Sequence, residues 1–138
     1  MTEQVIDLPL VIWIIDDDLV SLFATHYCID QAESNAKVQD FDAAETALQR
    51  YRENLSDERS LPDVIFLDLI MPSMTGWQFL EVLAQISSGH KKTDVYILSA
   101  FSNAKDRQQA KAHPAIMGIY DKPLSRIDME RTLLAVNS

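Results

Sequence analysis

The chain has 138 residues, 47% of them hydrophobic and 24% charged, and a formal net charge of −9, a balance that fits one globular domain with its own core and excludes a disordered or fibrous class. Such an acidic chain with no basic stripe is not built to grip nucleic-acid phosphates. The opening MTEQVIDLPL lacks the basic and apolar regions of a signal peptide, and no apolar run approaches the roughly 20 residues that span a bilayer, so the reading is a cytoplasmic protein with no membrane or nucleic-acid partner.

Taken in chain order, short apolar runs alternate with stretches of helical period. LVIWII (10 to 15) reads as a strand apolar on both faces, and LVSLFATHYCID then places Leu19, Leu22, Phe23 and His26 or Tyr27 at helical spacing. KVQDF (37 to 41) is a second strand. The next segment opens with Asp42 and Glu45, spaced as in a capping box, and sets Ala44, Leu48, Tyr51 and Leu55 on one stripe. After the polar connector SDERSLP comes DVIFLD (63 to 68), a third strand, followed by a loop, LIMPSMTG, in which Pro72 and Gly76 interrupt any regular element.

GWQFLEVLAQI resumes helical spacing through Phe79 or Leu80, Leu83 and Ile86. DVYILSA (94 to 100) is a fourth strand, NAKDRQQAKA (103 to 112) a fourth helix, and IMGIY (116 to 120) a fifth strand. A last helix carries Ser125 as its cap and Met129, Leu133 and Val136 on one face. The fourth helix offers only alanines as apolar contacts, so it should dock loosely. Cys28 stands alone and cannot form an internal disulfide; it is read as helix packing. Nothing in the spacing of His26, His90 and His113 suggests a metal site.

Strict alternation of strands and helices, with strands apolar on both faces, predicts a five-stranded parallel sheet covered by helices on each side, a doubly wound α/β fold in one domain. Ligands of such sheets sit beyond the carboxyl ends of the strands. Strand one ends in Asp16, Asp17 and Asp18, strand three in Asp68, strand four in Ser99, and strand five in Asp121, Lys122 and Pro123. Carboxylates gathered on one rim repel and partly protonate unless a cation joins them. Mg²⁺ suits two or three Asp, a loop carbonyl and water, with no need of His or Cys. Its charge and that of Lys122 would balance Asp16, Asp17 and Asp68. Asp18 lies just before LVSLF, where an Asp N-cap satisfies free N–H groups and meets the positive end of the helix dipole. Asp121 should point away from Lys122 by strand alternation.

In these motifs the chain resembles the receiver domain of two-component response regulators. VIWIIDDD is similar to that family's acidic pair after strand one, DVIFLDLIMPSMTGWQFL to its phosphoacceptor segment, VYILSA to its hydroxyl-plus-alanine strand end, and GIYDKPL to its Lys-Pro motif. The resemblance covers about residues 9 to 137 and implies a flavodoxin-like strand order, 2-1-3-4-5, in a stand-alone receiver at 1 to 138 with no output domain. It implies that Asp68 accepts a phosphoryl group from a phosphohistidine on a sensor histidine kinase or histidine phosphotransfer protein. Asp17 would hold Mg²⁺ directly, Asp16 largely through water, and Ile70 through its backbone carbonyl. Ser99 would hydrogen-bond the phosphoryl group, Ala100 leave room for it, and Lys122 pair with it across a usually cis Lys-Pro bond.

The implied role is a phosphorylation-dependent interaction switch or a phosphorelay intermediate, not a turnover enzyme. Its downstream protein would meet the face of helix four, strand five and helix five. One departure stands out. The position three before the lysine, often aromatic and mobile in the family, is Ile119, and Tyr120 should face the other side of the sheet. Two other functions compete. A haloacid-dehalogenase-type phosphatase would need a second acid two residues after its nucleophile, where Ile70 stands, and an unphosphorylated scaffold would not need the site residues that remain chemically competent.

Overall fold

The computed structural model describes residues 9–100 and 104–137. Asn103, which the helical spacing includes in the fourth helix, lies outside them. Five strands, β1 (Val11–Ile15), β2 (Lys37–Phe41), β3 (Val64–Asp68), β4 (Asp94–Ser99) and β5 (Ile116–Asp121), alternate with five helices. The helices are α1 (Leu19–Ala32), α2 (Ala44–Glu53), α3 (Gly76–Ile86), α4 (Ala104–Ala112) and α5 (Arg126–Asn137). The strands are parallel, in the order β2-β1-β3-β4-β5. This is the flavodoxin-like order, with the change of direction at β1 and β3.

Alternation along each strand splits the core into two layers. Trp13, Ile15, Ile65, Leu67 and Ile97 pack against α2 and α3 through Leu48, Tyr51, Phe79 and Leu83. Ile12, Ile14, Phe66 and Leu98 pack on the opposite face against Leu22 and Ile29 of α1 and Met129 and Leu133 of α5. β1 and β3 are buried along their whole length, which is why both read as continuous apolar runs. Of the described residues of α4, only Ala110 is buried, and the helix rests against β5.

The structure corrects the sequence reading in α1, in α2 and at the ends of β4 and β5. On α1 the buried residues are Leu22, Thr25 and Ile29, while Leu19, Phe23 and Tyr27 are 53%, 62% and 67% exposed. Apolar residues surround the first two turns of that helix, so periodicity alone could not select the face that packs. Asp42 does not cap α2. The N-cap is Ala43, with no side-chain hydrogen bond, so Glu45 falls at the second helical position, where the reciprocal bond of a capping box cannot form. The α2 stripe also stops at Tyr51, since the helix ends at Glu53 and Leu55 is only half-buried beyond it. β4 ends at Ser99 and β5 runs one residue further than expected, to Asp121.

Candidate functional site

Parallel register builds the site. Ile14 pairs with Phe66 and Ile15 with Leu67, so the next residues of the two strands, Asp16 and Asp68, leave the sheet side by side. On the far side of β3, Asp68 pairs with Leu98, and Ser99 follows. Ser99 in turn pairs with Asp121, and its carbonyl accepts the Lys122 N–H at 2.6 Å. A doubly wound sheet thus gathers five chemically active side chains on one rim from four separate strand ends.

Oxygens of Asp16, Asp17 and Asp68 all lie within 4.8 Å of one another. Asp16 and Asp68 are buried, at 1% and 7% exposure, and Asp17 is open to solvent. Both oxygens of Asp16 are engaged: Oδ1 accepts the Asp18 N–H at 3.0 Å, and Oδ2 lies 2.7 Å from the Lys122 ammonium. Asp68 Oδ1 accepts the Ile70 N–H at 3.1 Å, and Oδ2 accepts from Lys122 Nζ at 3.2 Å. Among the three acids, Asp17 is thus the exposed one, while Asp16 is tied inward.

Burial pushes the Asp68 carboxyl above its usual range; the Ile70 N–H bond and the Lys122 charge oppose this, and the Asp16 charge adds to it. For Lys122, burial disfavours the ammonium, but the Asp16 hydrogen bond and the Asp68 charge win and raise its pKa. The lysine is therefore held as a cation between two carboxylates. Two hard buried carboxylates and one exposed one form a donor set that suits a small hard cation, and the residues present fit Mg²⁺.

Local structure fixes these positions. Asp18 caps α1, its side chain accepting the Val20 and Ser21 N–H groups at 3.1 and 3.5 Å, so the third Asp of the triplet serves the helix as expected. Behind Asp68, Gly76 opens α3. A Cβ there would stand 2.7 Å from the Asp68 carbonyl oxygen and 2.8 Å from Leu69 Cα, so only glycine lets α3 start this close to β3. Thr75 caps α3 in a capping box with Gln78. The sequence signal of this cap is T-x-x-Q, masked by Pro72 and Gly76, which mark the segment as a loop. The Lys122–Pro123 bond is cis.

Around this rim, Ala100 and Pro123 line a cavity of about 260 Å³ together with Lys122, Val20 and Ala24. The Ile70 side chain is 60% exposed. Ile119 packs toward the α2/α3 layer. Tyr120 faces the α1/α5 layer as alternation predicts, where it stacks on Tyr96 with centroids 6.0 Å apart and its hydroxyl meets Thr132 Oγ1 at 2.5 Å. Asp121 points away from the site and pairs with Arg107 at 3.0 Å. Cys28 is half-buried against the α1/α5 layer. His26 and His90 meet carboxylates, Asp40 and Glu58, and neither joins the acidic cluster.

A five-stranded doubly wound sheet with an acidic cluster, a hydroxyl and a lysine at its strand ends defines the class. Consistent with it, the family model for the response regulator receiver domain matches residues 12–134, and the chain belongs to that family. No curated protein matches the chain. Among solved structures, it is similar to a two-component response regulator from Cytophaga hutchinsonii, at 23% identity and a TM-score of 0.83 over 92% of this chain and 96% of that one. A response regulator receiver protein from Dyadobacter fermentans is 25% identical with a TM-score of 0.79, covering 93% and 98% of the two chains. The chemotaxis protein CheY4 of Vibrio cholerae has 23% identity and a TM-score of 0.74, with 93% and 98% covered. No helix among the described residues is long and apolar enough to cross a membrane.

Proposed function

We propose that this receiver domain takes a phosphoryl group on Asp68 from a phosphohistidine of a sensor histidine kinase or a histidine phosphotransfer protein. The observation that carries the reading is the meeting of Asp16, Asp17 and Asp68 within 4.8 Å, with the Lys122 ammonium ion-paired to both buried members. In the transfer, an Asp68 carboxylate oxygen forms the new P–O bond, the P–N bond to the donor imidazole breaks, and the imidazole nitrogen takes a proton. Positioning and charge balance are what the protein must supply for this chemistry.

Mg²⁺ held by Asp17, by Asp16 through water, by Asp68 and by the Ile70 carbonyl would neutralise phosphoryl oxygens when bound. Lys122 carries the remaining positive charge to the phosphoryl group. Ser99 donates its hydroxyl to a phosphoryl oxygen, and Ala100 leaves space for it. The protein acts stoichiometrically in the cytoplasm and signals through a protein partner or passes the group on. With Ile119 in place of an aromatic, the change at Ser99 is transmitted without an aromatic swing.

Incubation with Mg²⁺ and acetyl phosphate, followed by intact mass measurement, tests the reading. One added phosphoryl group on the native chain and none on Asp68→Asn is the expected result. No adduct, together with no Mg²⁺ affinity, would leave an unphosphorylated scaffold, and sustained turnover of simple phosphate esters would favour a phosphatase.

A further inference from the structure

In the loop between β3 and α3, Ser73 adopts φ 72°, the positive-φ position among the described non-glycine residues. Side chains rarely occupy this region, and a residue held there needs surrounding structure to keep it in place. The Ser73 hydroxyl donates to Oε2 of Glu45, on the first turn of α2, at 2.5 Å. That bond is the first cause holding the Glu45 carboxyl below its usual range. Glu45 thus reaches from a different element into the loop that follows Asp68.

The same loop is fastened at its two ends. Ile70 N–H bonds Asp68 Oδ1 at 3.1 Å, and Gly76 N–H bonds the Leu69 carbonyl at 2.9 Å. Between these points the chain turns at Pro72, whose carbonyl accepts the Met74 N–H at 2.9 Å, and Ser73 is the residue at the strained position.

We infer that Glu45 is a positioning residue for the strand-end site: it holds Ser73 in the left-handed conformation, and through it sets the loop whose Ile70 N–H bonds Asp68 and which carries the Ile70 carbonyl. The inference rests on the Mg²⁺ reading above for its effect on binding, but not for its effect on the loop. Glycine adopts positive φ without strain, so a glycine at 73 should make the Glu45 grip unnecessary.

Calorimetric Mg²⁺ titration of the full chain and amide NMR of the metal-free protein test this together. Glu45→Ala should weaken Mg²⁺ binding roughly 2- to 10-fold, the range for losing one hydrogen bond, and shift the amide signals of residues 70 to 75. Glu45→Gln, which keeps an acceptor and removes the charge, should stay near the native protein in both. The double variant Glu45→Ala with Ser73→Gly should recover native affinity. Equal weakening by Gln and Ala would assign the effect to charge and overturn the proposal, as would a double variant as weak as Glu45→Ala. If the native chain binds no Mg²⁺, the metal reading fails, and the amide shifts alone decide: unmoved signals in Glu45→Ala overturn the inference.

Discussion

Lys122 and Asp16 meet at 2.7 Å inside the strand-end rim, and the same ammonium lies 3.2 Å from Asp68. One cation therefore serves two buried carboxylates, and Asp68 keeps a pKa raised by burial. The sign of its pH effect follows. A carboxyl whose folded pKa exceeds its unfolded value of about 3.9 makes the fold hold its proton more tightly, so stability falls as pH rises from there through the raised value. The cost persists at neutral pH. Asp68→Asn should accordingly melt higher than the native chain at pH 7, by about 3 °C for each kcal/mol recovered. The difference should shrink toward pH 4, and thermal melts across pH 4 to 7 check it. Lys122 works in the opposite direction: with its pKa raised, its contribution is fully present below about 10.4 and is lost as pH climbs through the higher folded value.

Gly76 makes the approach of α3 to the end of β3 possible. Its missing Cβ would otherwise press on the Asp68 carbonyl and Leu69 Cα, both backbone positions that cannot rotate away. Gly76→Ala should cost about 1–3 kcal/mol, the usual penalty of overpacking, even though alanine favours helices. Urea unfolding measures the loss, and an unchanged midpoint would contradict the close approach.

Asp18 belongs to α1 and not to the acidic cluster. Its side chain caps two N–H groups of the helix, and the cluster consists of Asp16, Asp17 and Asp68. Asp18→Ala should therefore lower stability by about 1 kcal/mol while leaving Mg²⁺ affinity within about twofold, a shift of only ~0.4 kcal/mol. Asp17→Ala should do the reverse, because it removes the exposed carboxylate of the cluster and no cap. Parallel melts and Mg²⁺ titrations of the two variants separate the roles.

The strands and their ends were readable because a parallel sheet leaves a strong mark: β1 and β3 are apolar on both faces, and polarity returns abruptly at Asp16 and Asp68. Alternation also placed Tyr120 opposite Ile119 correctly. What stayed hidden depends on contacts distant in sequence. The rotation of α1 is decided by which of its many apolar residues meets the sheet, and the α2 cap by where Phe41 leaves β2. Ser73 carries no glycine to announce its positive φ, and its bond to Glu45 spans 28 residues.

The rotation of α1 has a direct test in two neighbouring residues. Leu22 is 3% exposed and packs between β1 and α5, whereas Phe23, larger and one position on, is 62% exposed. Hydrophobicity would rank Phe23 as the costlier loss, and the fold reverses the order. Leu22→Ala should destabilise by about 2–5 kcal/mol, the range for a buried leucine, while Phe23→Ser and Tyr27→Ser should each stay within about 0.5 kcal/mol. Denaturant unfolding of the three variants decides between the two orientations. A Phe23→Ser loss as large as that of Leu22→Ala would mean that the face predicted by the spacing of Leu19, Leu22, Phe23 and His26 or Tyr27 is the one that packs.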